Sequence, residues 1–124
     1  MIHLDTSALT DALTGPKRSA DRLRELMASP EAIAICTIVL FEWLRGPRLK
    51  EEIEAQEELF PKINAVPFGS AEAERAAELY KKVNRPRGRE ADLGIAACAL
   101  THAAQLWTLN RADFKDIPDL ELLA

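Results

Sequence analysis

Short apolar runs alternate with helical patterns along most of this chain. The runs MIHL, AIAICT and QLWTLN are each followed by a helical pattern, and two weaker runs, NAVPF and LELLA, bring the set to five. Strands that alternate with helices pair in parallel, because each helix returns the chain to the same end of the sheet. The alternation therefore predicts an α/β fold with a central, mostly parallel sheet of about five strands and helices on both faces.

The length and composition of the chain are typical of one globular domain. It has 124 residues, of which 48% are hydrophobic and 29% are charged. A chain of this size buries roughly two-thirds of its unfolded surface around one core. We therefore expect a single domain that spans residues 1–124.

The sequence contains no segment typical of a membrane protein or a secretion signal. The apolar runs are much shorter than the roughly 20 residues that cross a bilayer. The N-terminal run ends at an acid, Asp5, and no basic region precedes it. We expect a cytoplasmic protein with no membrane role. Its net charge of −4 excludes a general positive field, so contact with phosphates would need a local basic patch or bridging cations.

Four polar side chains are expected at the end of the sheet where ligands bind in α/β proteins. Asp5 ends the first run, Asn110 and Asp113 follow the run QLWTL, and Asp92 opens a helix after a basic loop. Ligands of open parallel sheets bind beyond the carboxyl ends of the strands. The positions of these residues therefore predict that their side chains converge.

Each acid also has a structural explanation, which must be weighed against a shared site. Asp5, Asp92 and Asp113 all stand near helix starts, where a carboxylate can cap the helix or favour its dipole. Glu42 differs, because it stands several residues into the apolar helical segment TIVLFEWLRG. A buried carboxylate needs a partner. The coincidence of three acids at one edge with Glu42 favours a functional site.

A cluster of carboxylates predicts a particular kind of metal chemistry. Like charges held together raise one another's pKa unless a cation neutralises them. Oxygen ligands without histidine or cysteine suit Mg²⁺ or Mn²⁺ and do not suit zinc. Such ions can activate water and stabilise the leaving oxygen of a phosphodiester. Asp5 is then expected to pair with a metal ion.

Four stretches of the chain resemble the signatures of the PIN domain family, and most closely those of VapC-type toxins. They are LDTSAL, TIVLFEWLRG, READLGIAACAL and LWTLNRADFKDIPDL, and they occur in the family's order over nearly the whole chain. The resemblance implies a three-layer PIN-like fold and a Mg²⁺-dependent endoribonuclease that is the toxin of a type II toxin–antitoxin pair. It also implies inhibition by a small cognate antitoxin and a homodimeric state.

The resemblance also assigns roles to residues. It implies that an acidic quartet hydrolyses RNA, and that the metal ligands belong to it. The quartet is Asp5, Glu42, Asp92 and Asp113, with Asp5, Asp92 and Asp113 as the metal ligands. Polar neighbours are expected to support them, namely Thr6 or Ser7, Thr108 and Asn110.

Three arginines precede Asp92 in the loop NRPRGRE. Arg85, Arg87 and Arg89 could contact RNA phosphates beside the metal site, or they could belong to a solvated loop. The sequence leaves both interpretations open.

The helical segment around Glu42 carries more apolar surface than one helix face can bury. Phe41, Trp43 and Leu44 are its large side chains. They predict a partner interface, with either a second copy of the chain or an antitoxin helix as the partner. The two histidines, His3 and His102, lie in core-type segments, so we interpret them as structural.

Two other functions agree with part of this pattern. A phosphoacceptor receiver domain also has this length and acids at strand ends, but it needs a pair of adjacent acids after the first strand and a lysine after the fifth. Here Asp5 is followed by Thr6 and Ser7, and the chain ends in LELLA. The alternative is a PIN-like RNA- or protein-binding module that has lost catalysis, which the presence of all four acids disfavours.

Overall fold

Three parallel strands and six α-helices make up the computed structural model, which describes all residues, 1–124. In chain order they are β1 (Ile2–Leu4), α1 (Thr6–Leu13), α2 (Ala20–Ala28), β2 (Ile33–Ala34), α3 (Thr37–Arg45), α4 (Lys50–Leu59), α5 (Ser70–Lys82), α6 (Glu90–Thr101) and β3 (Gln105–Trp107). Two 3₁₀ turns, Lys62–Asn64 and Arg111–Asp113, lie in the connections. The prediction of an α/β fold with a parallel sheet is confirmed.

The sheet has the strand order β2-β1-β3, with β1 in the centre. Ile2 pairs with Ile33 on one side and with Gln105 on the other, and both pairings are parallel. The carboxyl ends of all three strands therefore lie at one edge. The segments that follow β1 and β3 begin there, at Asp5 and Thr108.

The prediction of about five strands is wrong in number, because the two weaker runs form only single bridges. Val66 bridges to Cys36 beside β2, and Leu122 bridges to Leu106 beside β3, both in parallel. Pro67 follows Val66 and lacks the N–H that a longer ladder needs. The outer positions of the predicted sheet thus exist, but each is reduced to one residue.

Helix α1 begins where its sequence provides a cap. Asp5 is its N-cap, and a side-chain oxygen of Asp5 accepts a hydrogen bond from the backbone N–H of Ala8 at 2.9 Å. The helix ends before Gly15, whose φ of +56° belongs to the left-handed region that glycine adopts without strain. Its apolar face is buried and consists of Ala8, Leu9, Ala12 and Leu13.

Helix α6 is buried along most of its length. Every residue from Leu93 to Ala99 is buried, as expected for a helix of small apolar side chains. Gly94 allows a close approach to α3, because a Cβ atom there would lie 2.4 Å from Cδ1 of Ile38. The chain thereby brings α3 and α6, which carry Glu42 and Asp92, against each other.

Both faces of the central strand are covered. Successive residues of a strand point to opposite faces, and Ile2, His3 and Leu4 are all buried. The His3 ring lies 5.9 Å from the ring of His102, centroid to centroid, and neither nitrogen of His3 has a hydrogen-bond partner. Burial, followed by the charges of His102 and the N-terminus, lowers the pKa of His3 to about 4. No helix in the structure has the length and apolar character needed to cross a membrane.

Candidate active site

A cleft of about 540 Å³ opens at the carboxyl edge of the sheet. It contains three of the four predicted acids, Asp5, Glu42 and Asp92. The remaining lining residues are Thr6, Ser7, Thr10, Asp11, Thr14, Gly15, Pro16, Ile95, Leu109 and Asn110. Residues from the end of β1, α1, α3, α6 and the segment after β3 therefore meet in one place, as the sequence predicted.

Asp5 is the most firmly held acid of the cleft. It is buried, and three donors bond its carboxylate: the Ser7 hydroxyl at 2.7 Å, the Ala8 backbone N–H at 2.9 Å, and the Thr108 hydroxyl. Asp5 is thus an N-cap and a cleft residue at once. The capping bond uses one oxygen of the Asp5 carboxylate. Capping therefore explains why an acid precedes α1, but it does not explain why Asp5 shares a cleft with Glu42 and Asp92.

Glu42 points from α3 into the same cleft. Its Oε1 atom accepts a hydrogen bond from the Thr6 hydroxyl at 2.5 Å, and its Oε2 atom lies 3.7 Å from Nη2 of Arg45. The Glu42 side chain is 18% exposed, whereas that of Arg45 is 62% exposed. An ion pair with so exposed a partner is weak. Arg45 therefore offsets little of the negative charge that Glu42 brings to the cleft.

Asp92 carries the clearest electrostatic evidence of a carboxylate cluster. Its pKa is raised from 3.8 to about 6, first by burial and then by the charges of Asp113, Glu42 and Asp5, in that order, while Arg89 opposes the rise. Three carboxylates therefore act on a fourth through space. The charge of Arg89 does not cancel the repulsion among these carboxylates, and a bound cation would relieve that repulsion.

Asp113 lies next to the cleft and does not line it. It is exposed on the 3₁₀ turn Arg111–Asp113 and faces a neighbouring depression lined by Asn84, Arg85, Arg89, Ala112 and Asp116. Its charge is nevertheless the largest of the charge effects on Asp92. The predicted short helix over RADFKDI is only this turn, so the structure places Asp113 near the other acids at the margin of the site.

The donor set fits a hard divalent cation in its chemistry. All four acids offer carboxylate oxygens, the ligand type that Mg²⁺ and Mn²⁺ prefer. Neither histidine nor cysteine lines the cleft. No group of three or more Asp, Glu, His or Cys side chains is close enough together to hold an ion as the side chains stand. Binding therefore requires side-chain movement, and the exposed Asp113 is the acid most free to move.

The predicted polar neighbours form a connected network around Asp5. The Ser7 hydroxyl accepts a bond from the Leu109 backbone N–H at 3.0 Å, and the Thr108 hydroxyl accepts one from the Asn110 backbone N–H at 2.9 Å. Both hydroxyls also bond Asp5. The network joins the start of α1 to the segment after β3, and it fixes the orientation of Asp5.

Three further polar residues of the cleft were not predicted from the sequence. Thr10 and Asp11 line the cleft from α1, and Thr14 lines it from the C-cap position of that helix. Thr6, Thr10 and Thr14 follow at intervals of four, which places their side chains on one face of a helix. This four-residue spacing of threonines, away from the apolar face of α1, is the sequence pattern from which the polar face could have been predicted.

The three loop arginines differ in their surroundings. Arg85 and Arg87 are exposed, and their predicted contact with RNA stays a prediction. Arg89 forms a salt bridge with Asp116, with 2.6 Å between Nη2 and Oδ1. The guanidinium of Arg89 is thus already bonded within the chain, and its predicted contact with RNA phosphates stays a prediction.

The apolar surface of α3 is smaller than the sequence predicted. Phe41 is 61% exposed and Leu44 is 47% exposed. Trp43 is fully buried, and Arg48 covers its ring, with the guanidinium carbon 4.2 Å from the ring centroid. Trp43 is thus a core residue and cannot contact a partner.

Comparison with known proteins identifies the family. The model of the PIN domain matches residues 2–120. The chain therefore belongs to the PIN domain family, and the resemblance seen in the four sequence stretches is confirmed.

Its relatives are of the VapC type. The chain is 30% identical to ribonuclease VapC19 of Mycobacterium tuberculosis over 125 residues, which covers 95% of each chain. It is 39% identical to ribonuclease VapC of Rickettsia bellii over 98 residues, or 69% of this chain and 71% of that one. The predicted enzyme class, an endoribonuclease, agrees with the names of these relatives.

Two solved structures with a similar fold come from toxin–antitoxin systems. One is VapBC2 from Rickettsia felis bound to a promoter DNA fragment, with a TM-score of 0.79, 27% identity, and coverage of 99% of this chain and 98% of that chain. Another is a toxin–antitoxin complex from Klebsiella pneumoniae, with a TM-score of 0.71, 26% identity, and coverage of 97% and 95%.

Proposed function

We propose that this protein is a Mg²⁺- or Mn²⁺-dependent endoribonuclease and the toxin of a type II toxin–antitoxin pair. The whole chain, residues 1–124, acts as one PIN domain, and the cytoplasm is the location that goes with this role. The observation that carries the proposal is the cleft of about 540 Å³ in which Asp5, Glu42 and Asp92 meet from separate parts of the chain. The pKa of Asp92, raised to about 6 by burial and then by the charges of Asp113, Glu42 and Asp5, supports it. The VapC relatives support the same activity.

In the proposed site Asp5, Asp92 and Asp113 hold the ion and Glu42 completes the catalytic quartet. When bound, a divalent ion supplies an activated water and stabilises the leaving oxygen of a phosphodiester. The chain holds Asp5 in one orientation through Ser7 and Thr108. A fixed ligand of this kind reduces the reorganisation that binding requires.

The RNA is proposed to lie along the cleft between α1 and the basic loop. The hydroxyl of Thr10, on the cleft side of α1, can donate a hydrogen bond to a phosphate or sugar oxygen. Arg85 and Arg87 of the basic loop are exposed and free to reach phosphates. Contacts of these kinds position a nucleic acid and do not read its sequence.

The proposal is tested by incubating the purified protein with total cellular RNA. We expect cleavage with Mg²⁺ or Mn²⁺ and none with excess EDTA or with Zn²⁺ alone. Asp5→Asn should bind RNA and fail to cut it, because it keeps the cap of α1 and loses a charged ligand. Cleavage in EDTA would contradict the metal role. RNA or protein binding without any cleavage would instead favour the alternative, a catalytically inactive binding module.

The cognate antitoxin is proposed to occupy an apolar groove beside the cleft. The groove, of about 580 Å³, lies between α1, α2 and α4, and its apolar lining includes Ala12, Leu13, Leu23, Met27, Ala55 and Leu59. Helix α1 borders both the groove and the cleft. An antitoxin segment seated in the groove could therefore continue into the cleft and exclude RNA.

This partner is tested by co-expression with a candidate cognate antitoxin. We expect that protein to inhibit RNA cleavage by the wild type, and Met27→Lys to weaken the inhibition while leaving cleavage unchanged. Met27 is 38% exposed, so the lysine side chain can reach solvent without unfolding the helix. Equal inhibition of both proteins would place the antitoxin elsewhere.

Self-association is proposed through the exposed side of α3. Phe41 and the groove beside it, of about 610 Å³ and lined by Ile38, Phe68 and Tyr80, form an apolar surface on this side. We expect a dimer by light scattering, and Phe41→Ser should shift it toward monomer. Ile63→Ser is the matched control, since Ile63 is 88% exposed outside this surface. A wild-type monomer at high concentration would overturn the proposal.

A further inference from the structure

Arg89 makes an unusual number of hydrogen bonds for a loop arginine. Its Nη1 atom donates to the Asn84 carbonyl at 2.9 Å and to Oδ2 of Asp116 at 2.9 Å. Its Nη2 atom donates to the Asp113 carbonyl at 3.0 Å and to Oδ1 of Asp116 at 2.6 Å. Both terminal nitrogens are thus fully used, and the pair with Asp116 is bidentate, the strongest geometry for such a pair.

These bonds join the two chain segments that bring Asp92 and Asp113 together. Arg89 is the N-cap residue of α6, and Asp92 lies in the first turn of that helix. The Asp113 carbonyl belongs to the 3₁₀ turn Arg111–Asp113, which follows β3. The guanidinium of Arg89 is therefore a direct link between the backbone on either side of the predicted metal site.

We propose that Arg89, held by Asp116, is a positioning residue that sets the separation of Asp92 and Asp113. This role rests on the proposed function, because it concerns the ion that those two acids hold. Arg89 itself does not touch the ion or the RNA. It restrains the turn that carries Asp113, the one acid of the quartet that lies on an exposed and irregular segment.

The same contacts argue against a role for Arg89 in RNA binding. The Arg89 side chain is 20% exposed, and its four terminal N–H bonds point at Asn84, Asp113 and Asp116. A phosphate would have to displace a bidentate carboxylate. Arg87 lies two residues earlier in the same loop and is exposed. It is therefore the matched control, since replacing it removes a loop arginine without removing these bonds.

The charge of Arg89 and its proposed positioning role predict opposite effects on metal affinity when Arg89 is replaced. The positive charge of Arg89 repels a cation, so its removal by itself would strengthen metal binding. If Arg89 positions Asp113, its removal weakens metal binding despite the favourable change in charge. A lysine at this position keeps the charge but lacks the planar fork that reaches a carboxylate and two carbonyls at once.

The test is Mn²⁺ binding measured by isothermal titration calorimetry in the absence of RNA. We expect Arg89→Gln and Arg89→Lys each to weaken Mn²⁺ binding by about tenfold, the range for residues that orient metal ligands. Arg87→Gln should bind Mn²⁺ as the wild type does. Amide hydrogen exchange at residues 111–117 should quicken in both Arg89 variants and stay unchanged in Arg87→Gln.

Asp116→Asn is the second variant, in case changes at Arg89 impair folding. Asp116 is exposed, and its loss should release the same turn and quicken the same amides. Unchanged exchange and unchanged Mn²⁺ affinity in Arg89→Lys, or tighter Mn²⁺ binding in Arg89→Gln, would overturn the positioning role alone. A wild-type protein that binds no Mn²⁺ would overturn the proposed function, and this inference with it.

Discussion

Replacing Asp92 by asparagine should stabilise the metal-free protein at neutral pH. The Asp92 carboxyl group has a folded pKa of about 6 against an ordinary value of 3.8. At about 1.4 kcal/mol per pH unit, this difference corresponds to about 3 kcal/mol. Asp92 is only half-buried, so solvent screening reduces the expected gain to about 1 to 2 kcal/mol.

The pH dependence of this gain has a definite sign. Below pH 4 the carboxyl group is protonated in both the folded and the unfolded state, and the substitution has no electrostatic effect. Between pH 4 and 6 the unfolded chain ionises first, so the wild type loses stability as the pH rises. The stability of Asp92→Asn should therefore separate from that of the wild type in this range and stay higher at pH 7.

Urea unfolding of both proteins at pH 4, 5, 6 and 7, with EDTA and with Mg²⁺, measures this effect. We expect Mg²⁺ to stabilise the wild type and to have little effect on Asp92→Asn, since only the wild type keeps the ligand. Asp21→Asn, which removes an acid whose side chain is 85% exposed, is the control. Equal pH profiles for wild type and Asp92→Asn would refute the raised pKa that burial and the charges of the other acids give Asp92.

Other changes test separate parts of the structure. The pKa of His3 falls from 6.5 to about 4, so the wild type should lose about 2 to 3 kcal/mol of stability as the pH falls through this range; urea melts of His3→Leu should show a flatter acid limb. Gly94→Ala should cost about 1 kcal/mol in the same assay because its Cβ meets Ile38, and Ile38→Val in the same chain should restore part of the loss. Arg87→Ala should weaken RNA binding and reduce its salt dependence, measured by fluorescence anisotropy in EDTA; an unchanged salt slope would make the loop merely solvated.

The fold class and the convergence of the acids were predictable because both follow from order along the chain. A parallel sheet puts the carboxyl end of every strand at one edge. That Asp5 and the segment after β3 lie at the same edge can therefore be predicted without knowing how side chains pack. Glu42 was identifiable because an acid inside an apolar helix is hard to explain otherwise. The extent of the outer strands was not predictable, since whether Val66 extends into a ladder depends on its neighbours in space.

The parts of the site that sequence reasoning missed depend on partners distant along the chain. Arg89 has the same loop context as Arg85 and Arg87, and only the folded chain brings Asp116 to it. Trp43 looked exposed because its helix is apolar on several faces, and Arg48 covers it in the structure. Local sequence cannot distinguish a covered side chain from an open one in such cases.

The most direct measurement of the central claim is the position of Mn²⁺ in crystals soaked with the ion, found by anomalous diffraction. The account predicts a peak in the cleft with carboxylate oxygens of Asp5 and Asp92 among the ligands, and Asp113 moved toward the ion. It also predicts loss of that peak in Asp92→Asn. A peak only outside the cleft, or no peak in crystals of a protein that cleaves RNA, would contradict the metal site.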